Sequence, residues 1–157
     1  MIQTKSVLPR GWSVSFLIKP RGVLHGWSAI MHASIGGNGH KYGDRTPKVW
    51  FHDWTTRLHI CSAVNGNANY CYNQHGQLPK HSFSRITIRQ IQKSDSGYLY
   101  YYQIFINGKK VVDVLNRRPA AFRNVKYYQA SPFFQGANAE LRNFHVKTYP
   151  HRGKSYA

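Results

Sequence analysis

Acidic side chains are the scarcest feature of this chain: five Asp and Glu in 157 residues, against 22 Lys and Arg, for a net charge of +17 with His neutral. The scarcity narrows the chemistry. Glycoside hydrolysis normally needs two carboxylates ~5 to 9 Å apart. Asp44, Asp53, Asp95, Asp113 and Glu140 contain no i, i+2 pair, so no two share a strand face by local spacing. No GxSxG elbow is present either, and no catalytic residues are expected. Calcium wants about six to eight oxygens with several carboxylates. Asp44, with carbonyls from residues 36–42, is the one calcium candidate, and the positive field argues against a tight site. No cofactor is therefore expected.

Cysteine is almost as rare. Cys61 and Cys71 are the only two, and neither CxxC nor HxxxH occurs, so the spacing fits no zinc motif. The midpoint between them falls at Gly66, the symmetry of a hairpin whose arms face each other. Directly opposed residues of an antiparallel pair lie within disulfide reach. A Cys61–Cys71 disulfide is therefore expected, and with it an oxidising, extracellular compartment. Long apolar runs are missing too. Nothing approaches the ~20 residues of a membrane span, and MIQTKSVLPRGWSV lacks the apolar core of a secretory leader. The expected reading is a secreted protein in its mature form with an added Met1.

What the chain does hold is aromatic and β-branched residues, with 15% Phe, Trp and Tyr. That composition supports a folded core rather than disorder. In Ser13 to Lys19, Val14, Phe16 and Ile18 share a face between Pro9 and Pro20. Further strands are expected at Trp27 to Ile35, Lys48 to His52, Arg57 to Val64, Asn69 to Asn73, Phe83 to Gln92, Val125 to Gln129 and Leu141 to Tyr149. Tyr98 to Ile106 and Lys109 to Leu115 flank Asn107-Gly108, the strongest short hairpin signal. No segment sustains a helical apolar period. The expectation is an all-β antiparallel two-sheet sandwich, one domain over residues 1–150, with a basic flexible tail at residues 151–157.

The motif order adds a resemblance. It runs Trp12-Ser13-Val14-Ser15-Phe16-Leu17-Ile18-Lys19-Pro20, Gly26-Trp27-Ser28-Ala29-Ile30 with His32, Gly36-Gly37, then Tyr42-Gly43-Asp44-Arg45-Thr46-Pro47 and Val49-Trp50-Phe51-His52. Arg57-Leu58-His59-Ile60-Cys61, Phe105-Ile106-Asn107-Gly108-Lys109 and Phe122-Arg123-Asn124-Val125-Lys126 follow. Over residues 10 to 148 this resembles the concanavalin A-like jelly-roll superfamily, nearest to laminin-G-like domains of extracellular invertebrate proteins. The resemblance implies two face-to-face sheets of six or seven strands, and lectin, adhesion or matrix roles.

Two sets of residues follow. In galectin-like relatives a His, an Asn and an Arg on neighbouring strands bind sugar. Here His32, Asn38, Arg45, Trp50, His52, Trp54, Arg57 and His59 lie on or beside adjacent predicted strands. Alternation puts His32 with Ser34, Trp50 with His52, and Arg57 with His59, while Leu58 and Ile60 face the core. A solvent face would show the same periodicity. The second set is cationic: Arg85, Arg89, Lys109, Lys110, Arg117, Arg118, Arg123, Lys126, Arg142 and Lys147, interleaved with Tyr98, Tyr100, Tyr127 and Tyr128. Arg suits sulfate, carboxylate and phosphate through its planar fork.

The leading expectation is a non-catalytic, lectin-like module for acidic polysaccharide or anionic glycoconjugate, sulfated glycosaminoglycan first. An alternative is a Tyr- and Lys-rich matrix or adhesive protein that associates with itself or with matrix proteins. Nucleic-acid binding is a further one, without a recognised fold signature. No amphipathic helix supports membrane damage.

Overall fold

The strands expected from sequence form in the computed structural model, which describes residues 1–94 and 97–152. Eleven strands form: β1 (Gln3–Leu8), β2 (Gly11–Pro20), β3 (Ser28–Ser34), β4 (Lys48–Phe51), β5 (Leu58–Val64), β6 (Asn67–Asn73), β7 (Ser84–Gln92), β8 (Tyr100–Ile106), β9 (Lys109–Asn116), β10 (Phe122–Gln129) and β11 (Ala139–Tyr149). They build two antiparallel sheets, β1-β10-β3-β4-β5-β6 and β11-β2-β7-β8-β9. The second sheet therefore has five strands, where the resemblance implied six or seven.

The core lies between the sheets. Trp12, Val14, Phe16 and Ile18 of β2 and Ile86 and Ile88 of β7 meet Met31, Val49, Phe51, Leu58, Ile60 and Val125 from the other side. Burying such side chains is the main stabilising term of the fold, roughly 1.5–3 kcal/mol each. Tyr100 and Tyr127 are also fully buried. They cannot serve as the exposed stacking rings that the cationic reading gave them. Tyr98, by contrast, is exposed.

β1 was not expected. Of its six residues only Leu8 is buried, because it is an edge strand paired to β10 alone. Its sequence therefore lacks the alternation that marks a half-buried strand.

The two hairpins follow turn chemistry. Asn107 and Gly108 both have positive φ (49° and 79°), as a two-residue I′ turn requires. Asn65 and Gly66 do the same at 52° and 83°, and Cys61 is bonded to Cys71. At the C-terminal end, Tyr100 Oη and His151 Nδ1 lie 2.8 Å apart, and Gln92 exchanges two hydrogen bonds with the Arg152 backbone. The rest of the expected basic tail lies outside the described residues. No helix among the described residues is long and apolar enough to cross a membrane.

Candidate ligand-binding face

Strand register collects the sugar-binding candidates on the outer face of the six-stranded sheet. His32 pairs with Lys48, Lys48 with Cys61, and Cys61 with Cys71, a row of directly opposed residues. The next row is Trp50, His59 and Asn73. Directly opposed residues point the same way, so these side chains stand together while Val49, Phe51, Leu58 and Ile60 enter the core. The expected pairing of faces along β3, β4 and β5 is what the structure contains.

The face is roofed rather than open. Trp27 lies over His52 and His59, with ring centroids 4.7 and 4.6 Å away. Phe134, from the loop after β10, packs on Trp50 at 4.0 Å, and Phe133 packs on His32 at 5.7 Å. His32 and Trp50 are consequently buried, so neither can touch a ligand while these rings stay in place. The accessible rim is Trp27 at 39% exposure and Trp54 at 59%, with His52 and Arg57 half-buried and Asn73 exposed. In sequence Trp27 marks only the start of an expected strand. Its position as a covering ring depends on the β2–β3 connection, which local sequence does not predict.

The hydrogen bonds set the imidazole tautomers. His32 Nε2 donates to the Asp44 carbonyl at 2.8 Å, leaving Nδ1 to accept from Ser131 Oγ at 3.1 Å. Burial pushes His32 down to about 4, with the nearby Arg45 and Lys48 charges adding to that and the Asp44 carbonyl opposing it. His52 Nε2 and His59 Nδ1 both donate to Asn73 Oδ1, at 2.8 and 2.7 Å. Burial pushes His59 to about 4 and lowers His52 as well, against the help of Asn73. Near neutral pH both rings are uncharged donors fixed by one amide oxygen.

Lys48, not among the residues singled out in sequence, is 3% exposed. Its ammonium lies 3.7 Å from the Trp50 ring centroid and 5.9 Å from that of Trp27. Burial, then repulsion from Arg45, pushes it down to about 7. Arg45 also lies over Trp50, at 5.6 Å, and donates from Nη1 to Asn69 Oδ1.

Asp44 is held for loop geometry. Its Oδ2 accepts from the backbone amides of Gly39, His40 and Lys41 at 3.0 to 3.2 Å. Burial works against ionisation, yet the three amides outweigh it and lower the pKa. Asn38 lies in the same loop. The one close-set His/Cys group among the described residues is His59, Cys61 and Cys71, whose two sulfurs are bonded to each other.

The ten cations do not form one stripe. Arg85, Arg89, Lys110, Arg142 and Lys147 stand on the outer face of the five-stranded sheet. There Lys147 pairs with Ser13, Ser13 with Arg89, Arg142 with Leu17, and Leu17 with Arg85. Arg89 lies over Phe105, and Arg142 over Phe83. Lys110 is bridged to Asp113 and Arg142 to Glu140. Lys109 sits at the β8–β9 turn, and Arg117 and Arg118 follow β9 beside Asn65. Arg123 and Lys126 belong to β10 in the other sheet. The sequence places these ten in one list, but only the first five share a surface.

No family model and no curated protein matches this sequence. Solved structures do. An endo-β-1,4-glucuronan lyase of Trichoderma reesei aligns at TM-score 0.60 and 11% identity, over 88% of this chain and 68% of the lyase. A pentraxin of Limulus polyphemus aligns at 0.59 and 13%, over 92% of this chain and 66% of the pentraxin. A Caenorhabditis elegans galectin aligns at 0.52 and 12%, over 92% and 89%. The fold is the concanavalin A-like jelly roll. This jelly roll carries enzymes and binding proteins alike, so function has to be argued from the side chains.

Proposed function

We propose that this jelly roll is a non-catalytic, secreted module that binds acidic or sulfated glycans. The observation that carries the reading is the composition of the six-stranded sheet's outer face. Its rim offers exposed Trp27 and Trp54 beside His52, Arg57 and Asn73. Lys48 and Arg45 add positive charge beside them; Asp44 is engaged by backbone amides, and Asp53, between His52 and Trp54, by the Gly26 amide and His25. Aromatic rings stack on the apolar faces of sugars, and fixed donors select hydroxyls and acidic groups. The galectin and the glucuronan lyase, whose names denote a lectin and an acidic polysaccharide, support a glycan ligand by analogy of fold.

A non-catalytic role is supported by the carboxylates. Asp44 holds a loop, Asp53 accepts from the Gly26 amide and meets His25, Asp113 meets Lys110 and Gln103, and Glu140 meets Arg142, Arg21 and Lys19. Each described carboxylate thus has its own partners, and Asp95 lies outside the described residues. The disulfide supports an oxidising compartment.

A glycan array read at two salt concentrations tests the reading. Retention of uronate- or sulfate-bearing glycans that persists at high salt and falls in Trp54→Ala is expected. An array on which no glycan is retained above a neutral control protein would overturn it.

A further inference from the structure

Lys48 poses an energetic problem that the fold leaves unsolved. Among the described residues its ammonium has no ion pair and no hydrogen bond, only the Trp50 and Trp27 rings and a narrow opening to solvent. Removing an ammonium from water is strongly unfavourable, and a cation–π contact offsets only part of that. The neighbour that bears on it electrostatically is Arg45, another cation. Two further donors in the same place, Arg45 Nε and Trp50 Nε1, are buried and find no acceptor among the described residues. Two cations and two idle N–H groups around one indole, without an anion, are what an oxyanion would complete.

We propose that Lys48 and Arg45 form a receptor for one small oxyanion group, the carboxylate or sulfate of an acidic sugar, admitted beside Trp50 when the Phe134 ring moves off it. The proposal rests on the glycan-binding reading and names the group that gives it charge specificity. Arg45 is the half-buried member and the one through which the ligand is reached; Lys48 lies beneath. A guanidinium fork and an ammonium donate charge-assisted bonds to such a group. Arrival of the anion favours the protonated lysine, so binding takes up a proton near neutral pH. The other titratable or charged groups facing Lys48 are His32 of β3, His59 of β5, His52 and Asp44. His32 and His59 are neutral there, and Asp44 is occupied by the loop. Cys71 of β6 is in the disulfide, and residues 131–137 carry no ionisable side chain.

The test titrates sodium sulfate, and separately glucuronate, against sodium chloride at constant ionic strength. It follows the Trp50 indole N–H resonance, assigned with Trp50→Phe, and the Lys48 titration. A saturable shift of the indole signal is expected, with the Lys48 pKa rising by a unit or more when sulfate is bound. Arg45→Gln is expected to weaken sulfate on the order of tenfold or more. Lys48→Met is expected to abolish the response while raising the melting temperature at pH 7, because it removes a buried charge. A lysine with a purely structural role would lower it. No saturable shift, or an unchanged shift in Lys48→Met, overturns the proposal. Sulfate binding at Lys48 without any glycan binding upholds this site and refutes the glycan function. Glycan binding that Lys48→Met leaves intact does the reverse.

Discussion

Cys61 faces Cys71 because β6 carries one residue more than β5 between the turn and the bridge. The hairpin starts with Val64 opposite Asn67 but continues with Ser62 opposite Tyr70. A regular ladder from the Asn65-Gly66 turn would have set Cys61 against Tyr70, so the irregularity brings the sulfurs together. Closing a loop with a sequence separation of 10 restricts the unfolded chain by about 2 to 3 kcal/mol. Cys61→Ala/Cys71→Ala is expected to lower the unfolding free energy by that amount, with a lower urea midpoint and a slightly steeper slope because the unfolded chain expands. An unmoved midpoint would mean that the bridge contributes nothing to folding.

Asp44 ties residues 39–41 into the loop before β4, and its folded pKa lies below that of an unfolded Asp. Its stabilisation is therefore complete above about pH 4 and is lost as pH falls through the lower folded value. Asp44→Asn is expected to cost about 1–3 kcal/mol at pH 7. The gap from wild type should close in acid denaturation as pH falls through the lowered folded value. A pH-independent gap would assign the effect to packing rather than to the carboxylate.

His32 and His59 carry the opposite chemistry with the same sign of slope. Both are held near 4, against 6.5 for the ordinary group. As pH falls from 6.5 toward 4 the unfolded chain binds protons that the folded chain refuses, so stability declines across that window. Buried His32 alone is expected to account for about 2 to 3 kcal/mol. Lys48 acts likewise over a higher window, from 10.5 down to about 7. Thermal melting at intervals from pH 4 to 10 should show the rise, and His32→Gln should flatten its acid limb. A flat profile in the native protein would contradict the neutral imidazoles.

The two cationic surfaces make separable predictions. Arg85, Arg89 and Lys147 share the outer face of the five-stranded sheet, away from Trp27 and Trp54. Arg85→Ser/Arg89→Ser/Lys147→Ser is expected to shorten heparin retention and to reduce its log–log salt slope by about 0.8 per charge removed, as for nucleic-acid polyelectrolytes. The same variant should leave salt-resistant glycan binding intact. Loss of both together would mean that a single surface serves them.

Much of the candidate face could be read in sequence because strand alternation is local. His32 with Ser34, Trp50 with His52 and Arg57 with His59 follow from a side-chain period of two, and the pairing of β3, β4 and β5 only had to set them side by side. The same alternation puts Lys48 on the face with Trp50. A lysine is ordinarily read as exposed, and nothing nearby in sequence signals that Phe134, some 86 positions away, will help to enclose it.

By itself, then, the order of residues determined the two-sheet class, ten of the eleven strands, the Asn107-Gly108 turn and the Cys61–Cys71 pairing. Each depends on contacts between neighbours or on the steric demands of a few consecutive residues. Tertiary structure alone decided that β1 joins an edge, that Tyr100 and Tyr127 go inside, and that ten cations divide between sheets. It alone set Trp27, Phe133 and Phe134 over the imidazoles and left Lys48 without a counter-charge. Those outcomes depend on which distant segments exclude water from one another, and burial between remote segments has no local period in the chain.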